Sequence, residues 1–290
     1  MRNILNQRLI IVSGKGGVGK TTIASKLALL QAKSKKKTLL VELNSLGSAA
    51  KLFGLDTKSH QLQIINTHLQ TLNLTPAACF EEYVVRQIKF QFLYKTLFDN
   101  RLVKHFVSAI PGLNELLMLG KVIDLFKNFD CIIVDAQASG HGLSSLQVPY
   151  VVKRVVKFGP LLHQAQKIIT FLEDEKSTSV VLVTLLEEMP INETLETFAA
   201  FKKNSALHFA GVIINQAASE VPEIAAPKAN LPESLKAYWQ IYEFAKMRYT
   251  EQQLYLKKLQ KTFSPAQLMS IAALPAGVHD ATDLENLELF

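Results

Sequence analysis

The run from Gly14 to Thr22, GKGGVGKTT, constrains this chain more than any other segment. Residues 14–21 fit G-x-x-x-x-G-K-[ST], the pattern of a loop that wraps phosphate. An apolar run at 9–12 precedes it and reads as a buried strand. Residues 22–33 follow, with Ile23, Leu27 and Leu30 at helical spacing. Strand, glycine-rich loop and helix are the context the chemistry needs. Gly14, Gly16, Gly17 and Gly19 let the backbone N–H groups around Val18 turn toward phosphate oxygens, and the helix N-terminus adds partial positive charge. Lys20 is the expected cation for the outer phosphates of ATP. The Thr21 hydroxyl is the expected ligand of Mg²⁺, and Thr22 closes the nucleotide-binding run. A flexible Gly/Lys turn would not need this spacing. Lys15 lies outside the general pattern, and on its residue type alone it reads as a solvated loop lysine.

Composition sets the frame. At 290 residues with 48 % apolar content, the chain is long and apolar enough for one large α/β domain with an inserted subdomain, or for two small domains. Cys79 and Cys131 are its two cysteines and lack CxxC spacing. They read as free thiols of a reducing, cytoplasmic protein rather than as a disulfide or zinc framework. The seven histidines are scattered, which gives no transition-metal site. No apolar stretch is long enough to span a membrane. The net charge is +7, part of it in Lys33, Lys35, Lys36 and Lys37, where cations suit the end of the first helix. No aromatic residues alternate with these charges, so nucleic acid is not an expected partner.

Short Val/Ile-rich runs recur at 9–12, 38–43, 62–65, 131–134, 180–184, 211–214 and 269–274, between longer helical stretches. Continuous rather than alternating hydrophobicity predicts parallel strands buried on both faces. The fold class is therefore α/β: a doubly wound, mostly parallel sheet of about seven strands, with ligands at the strands' carboxyl ends. The interval 75–129 breaks the rhythm and reads as a helical insertion within a single 1–290 domain. Further helices are expected at 151–173 and 232–261.

With Lys15 in place, KGGVGKTT resembles the deviant phosphate loop (deviant Walker A) of one branch of P-loop proteins. Other segments narrow the branch. VDAQASGHGL at 134–143 resembles the second switch of the arsenite-pump and tail-anchored-protein-targeting ATPases, usually D-T-A-P-T-G-H, with Asp135, Gly140 and His141 in matching places. Pro111-Gly112 with Glu115 resembles a P-G-x-x-E in that family's helical insertion. Asn215-Gln216 resembles the Asn-Gln that reads adenine, and Leu274-Pro275 the late loop over the base. The resemblance spans most of the chain.

It implies an ATPase using ATP and Mg²⁺. Lys15 would reach a partner's nucleotide across a dimer, Asp135 would hold the metal shell with Thr21, and Gly140, Asn215 and Pro275 would contact nucleotide. It also implies a dimer, of like or homologous chains, whose helical insertion engages a protein client or membrane-associated partner.

One departure bears on catalysis. The family's first switch, D-P-A-H, carries an aspartate that positions the attacking water. Here the segment reads ELNSLGS and puts Asn44 in that place. An amide cannot accept a proton from water as a carboxylate can. Glu42, on the same strand face, reads as a structural charge, with substitution for the missing carboxylate as the alternative. Arsenite would need converging thiolates, which two isolated cysteines do not supply. Five methionines do not make a Met-rich client groove. The first reading is a cytoplasmic Mg-dependent ATPase switch, and the second an ATP-binding subunit poor in hydrolysis. A metabolic kinase comes third, since no acceptor site is visible.

Overall fold

The computed structural model describes residues 2–43, 45–87, 112–136, 145–204, 207–224 and 232–289. In chain order the elements are β1 (Leu9–Gly14), α1 (Lys20–Lys33), β2 (Thr38–Leu43), α2 (Ser48–Leu52), β3 (Gln63–Ile64), β4 (Leu69–Leu74), α3 (Pro76–Gln87) and α4 (Leu113–Leu125). There follow β5 (Cys131–Asp135), α5 (Val148–Val155), α6 (Pro160–Leu172), β6 (Thr178–Thr184), α7 (Glu188–Asn204), β7 (Phe209–Ala217), α8 (Glu233–Gln260), β8 (Leu268–Ala272) and α9 (Ala281–Asn286).

The strands form one eight-stranded sheet in the order β3-β4-β2-β5-β1-β6-β7-β8. Every pairing is parallel except that of the two-residue edge strand β3 with β4. The expected doubly wound α/β sheet is thus present, with eight strands where the apolar runs predict seven. The run at 62–65 supplies only the exposed edge β3. The parallel strand beside β2 is β4, whose LQTLNL sequence interrupts apolar continuity.

Alternation along the central strands feeds two cores. Ile10, Val12, Leu40 and Ile133 pack under α1 with Ile23, Leu27 and Ala28. Ile11, Leu39, Val41 and Val134 face the other way, against Leu116 and Val122 of α4 and Ile168 and Leu172 of α6. Each such aliphatic side chain, fully buried, contributes about 1.5–3 kcal/mol. A third cluster joins Leu182, Val212 and Ile214 to Ile191 of α7 and Leu259 of α8. Helices on both faces explain why strand sequences read as continuous apolar runs.

α3 and α4 fall in the interval expected as a helical insertion, of which residues 88–111 lie outside the described residues. The stretch 151–173 is two helices, not one. Gly159, with φ +100°, and Pro160 at the first turn of α6 end the run between them. No helix among the described residues is long and apolar enough to cross a membrane.

Candidate functional site

The carboxyl ends of β1, β2, β5 and β7 converge on the 14–22 loop. Gly14 closes β1 with φ +146°, and a Cβ there would sit 2.3 Å from the Val183 carbonyl oxygen of β6. Only glycine lets β1 and β6 approach so closely at that point. Gly19, at φ +90°, is the N-cap of α1 and offers no side-chain acceptor to the first-turn N–H groups. Those donors and the helix dipole face the loop's interior and suit an anion. Val18 is buried and anchors the loop in the α1 core, while Gly16 and Gly17 are exposed and Thr22 is half-buried.

Asn215 ends the buried part of β7. Its amide donates to the Val18 carbonyl at 3.0 Å, and its Nδ2 lies 2.2 Å from where a Cβ on Gly19 would stand. Asn215 therefore braces the phosphate loop from beneath. Gln216, the next residue, is exposed with φ +53°. Pro275 lies in an exposed turn after β8, closed by a bond from the Gly277 N–H to the Leu274 carbonyl.

Lys20 folds back on the loop and donates to the Lys15 carbonyl at 2.8 Å. Burial lowers its pKa and the Asp135 carboxylate opposes that shift. Lys15 points elsewhere: its ammonium pairs with Glu193 Oε1 of α7 at 3.1 Å within the same chain.

Thr21 and Asp135, from segments far apart in sequence, meet. The Thr21 hydroxyl donates to Asp135 Oδ2 at 2.5 Å. Oδ1 is buried without a partner among the described residues. Burial pushes the Asp135 carboxyl up from 3.8 to about 6; the Thr21 hydrogen bond lowers it, nearby Glu42 raises it, and Lys20 lowers it. A hydroxyl, a carboxylate and an orphaned carboxylate oxygen beside a phosphate loop fit Mg²⁺, a hard ion that takes few protein oxygens and shares phosphate. No cluster of three or more His, Cys, Asp or Glu able to hold a metal occurs among the described residues.

Glu42 is 1 % exposed. Its Oε1 accepts from the Ser45 hydroxyl at 2.5 Å and from the Ala49 N–H at 3.0 Å. Asn73 grips the same loop, donating to the Ser45 carbonyl at 2.9 Å and accepting from its N–H at 3.3 Å. Ser45, Asn73 and Glu193 carry no motif that would single them out in sequence. Asn44, Gly140 and His141 lie outside the described residues. Cys79 and Cys131 are buried free thiols, each pushed up to about 12 by burial.

With this geometry in hand, comparison with known proteins decides the family. The family model described as anion-transporting ATPase (ArsA ATPase) matches residues 7–162 and 160–290. The chain belongs to this family. Among relatives in it, the ATPase BagA of Mycobacterium tuberculosis is 33 % identical over 222 residues, 72 % of this chain and 65 % of that protein. The ATPase get3 of Schizosaccharomyces japonicus is 31 % identical over 178 residues, 57 % of this chain and 54 % of its own length. The ATPase get3 of Schizosaccharomyces pombe is 26 % identical over 230 residues, 74 % of this chain and 68 % of that protein. The chain thus spans slightly under two thirds of the mycobacterial relative's length. The resemblance read from the phosphate loop and second switch is that of the family found.

Proposed function

We propose that this chain is a cytoplasmic, Mg-dependent ATPase that works as a dimeric switch on a protein client or membrane-associated partner. The observation that carries this reading is the contact between Thr21 and Asp135 under an uncapped helix N-terminus. It brings the hydroxyl of the phosphate loop and the carboxylate of β5 to one point, where they would hold Mg²⁺ against the phosphates. The ion would neutralise phosphate charge. The chain's own part is to wrap the phosphates with loop N–H groups, to bring Lys20 off the Lys15 carbonyl onto them, and to brace the loop through Asn215. ATP would draw two such sites together, and the α3–α4 region would carry the change to the client. The relatives' printed names, ATPase in each case, support the activity.

The test is calorimetry. Lys20→Ala is expected to weaken ATP binding about tenfold or more, since a hydrogen bond to a charged group is worth about 1.5–3 kcal/mol. Unchanged affinity would overturn the phosphate-loop reading.

A specific observation favours a second reading, an ATP-binding subunit poor in hydrolysis. Asn44 stands where the first-switch aspartate is expected, and Glu42 is buried with one oxygen committed to Ser45 and Ala49. The amide of Asn44 cannot take a proton from water, and Oε1 of Glu42 is already engaged by the loop. Positioned general-base help is worth about 10²–10⁴-fold in rate. Asn44→Asp is therefore expected to raise single-turnover hydrolysis without tightening ATP binding. Brisk turnover in the wild type, unimproved by the substitution, would exclude this reading and leave the first.

A further inference from the structure

The site contains a second buried carboxylate that the reading above does not use. Glu42 and Asp135 are register partners on adjacent parallel strands, and Asn73 partners Glu42 on the other side. Partners in one row of a parallel sheet project from the same face about 4.8 Å apart. Here that face is the one under α1, since Leu40 and Ile133, two residues before Glu42 and Asp135, pack on Ile23 and Leu27. The row Asn73, Glu42, Asp135 therefore forms a polar ladder beneath the first turn of α1, beside Thr21.

The ladder is satisfied on its outer side only. Asn73 and Glu42 Oε1 are spent on the Ser45–Ala49 segment. Asp135 Oδ2 is spent on Thr21. One oxygen of each acid remains, Glu42 Oε2 and Asp135 Oδ1, and both are buried without a hydrogen-bond partner among the described residues. Glu42 is 1 % and Asp135 7 % exposed. Two neighbouring carboxylates, both out of water and each with an unpaired oxygen, repel one another. A hydrated divalent cation would satisfy both oxygens and cancel the repulsion.

We propose that Glu42 is a second acidic wall of the Mg²⁺–nucleotide site, holding a water of the ion through Oε2 while Oε1 holds the loop at Ser45 and Ala49. This rests on the nucleotide reading above and adds a positioning residue to it. Mg²⁺ commonly keeps several waters and is bound through one or two carboxylates, so an outer partner of this kind suits it. The arrangement also gives metal occupancy a direct line to the segment that follows β2. The same side chain touches both.

The experiment is thermal unfolding of the full chain with saturating ADP across buffered Mg²⁺ concentrations, together with EDTA controls. Glu42→Gln keeps an oxygen for Ser45 and Ala49 and removes the charge. In EDTA it is expected to melt at or above the wild-type temperature, because the carboxylate repulsion is gone. Its half-maximal stabilisation should need about tenfold more Mg²⁺ or beyond, as loss of an outer-shell partner does elsewhere. Ser45→Ala, which spares the charge, should keep the wild-type Mg²⁺ dependence within about twofold. An equal Mg²⁺ dependence in the wild type and E42Q overturns the inference alone. So does E42Q melting below the wild type in EDTA, or S45A reproducing the E42Q shift. A wild type that gains no stability from Mg²⁺ and ADP overturns the nucleotide reading, and this inference with it.

Discussion

Asp135 serves two ends that conflict. Burial beneath α1 fixes its geometry against Thr21, and the same burial penalises its charge, so its pKa rises from 3.8 to about 6. The folded state thus binds a proton more tightly than the unfolded chain does. Stability from this group is fully present below about 3.8 and is lost as pH rises through about 6. In metal-free buffer the urea stability of the wild type should therefore fall relative to Asp135→Asn between pH 4 and 6. The difference between the two proteins isolates this carboxyl from the others. A difference flat in pH would show that the ionised form is already compensated by Thr21 and Lys20. Of the residues that matter here, those of the 14–22 run are legible in sequence because chain order and spatial order coincide in one short loop between β1 and α1. Asp135 was legible only through the second-switch resemblance. Asn73 and Glu193 were not legible at all. Their roles come from strand register and from helix packing, which no local spacing encodes.

Among the elements, sequence periodicity succeeded wherever burial was uniform. β1, β2, β5 and β6 are buried along their whole length, and each carries an apolar run of three or four residues. β4 is nearly as buried yet does not read as an apolar run, because Gln70, Thr71 and Asn73 interrupt its leucines. The polarity has a structural use: Asn73 holds both backbone groups of Ser45. The same compromise explains β3, whose apolar run at 62–65 is an exposed two-residue edge rather than a core strand. Helical signals suffered from the converse ambiguity. Apolar periodicity continues from α5 into α6, and only the Gly159-Pro160 pair marks the break. α8 matches the helix expected at 232–261 nearly to its ends, though its amino-terminal half leaves Tyr238, Ile241, Phe244 and Met247 exposed.

For the molecule as a whole, the proposed dimer depends on how one chain's site would meet another's. Lys15 is the residue on which a dimer across the phosphate loops would turn, and in the single chain it is held by Glu193. That pair is partly solvated, with side chains 23 % and 33 % exposed, so it is worth about 0–1 kcal/mol at most. A charge-assisted hydrogen bond to a phosphate oxygen is worth about 1.5–3 kcal/mol. Exchanging Glu193 for a partner's nucleotide would therefore be downhill, and the contact within the chain would not block such an assembly. Lys20 differs, because it lies inside its own loop. The two lysines should then separate experimentally. Lys15→Ala is expected to leave ADP affinity within about twofold while weakening dimerisation on a non-hydrolysable ATP analogue by about tenfold, the equivalent of 1.4 kcal/mol. Lys20→Ala should lose both. Sedimentation velocity over a protein concentration series reads the assembly, and calorimetry reads the ADP. Equal assembly of the wild type and the Lys15 variant would confine Lys15 to its own chain, as a partner of Glu193. Absence of nucleotide-linked assembly in the wild type would remove the dimer and leave a monomeric nucleotide switch.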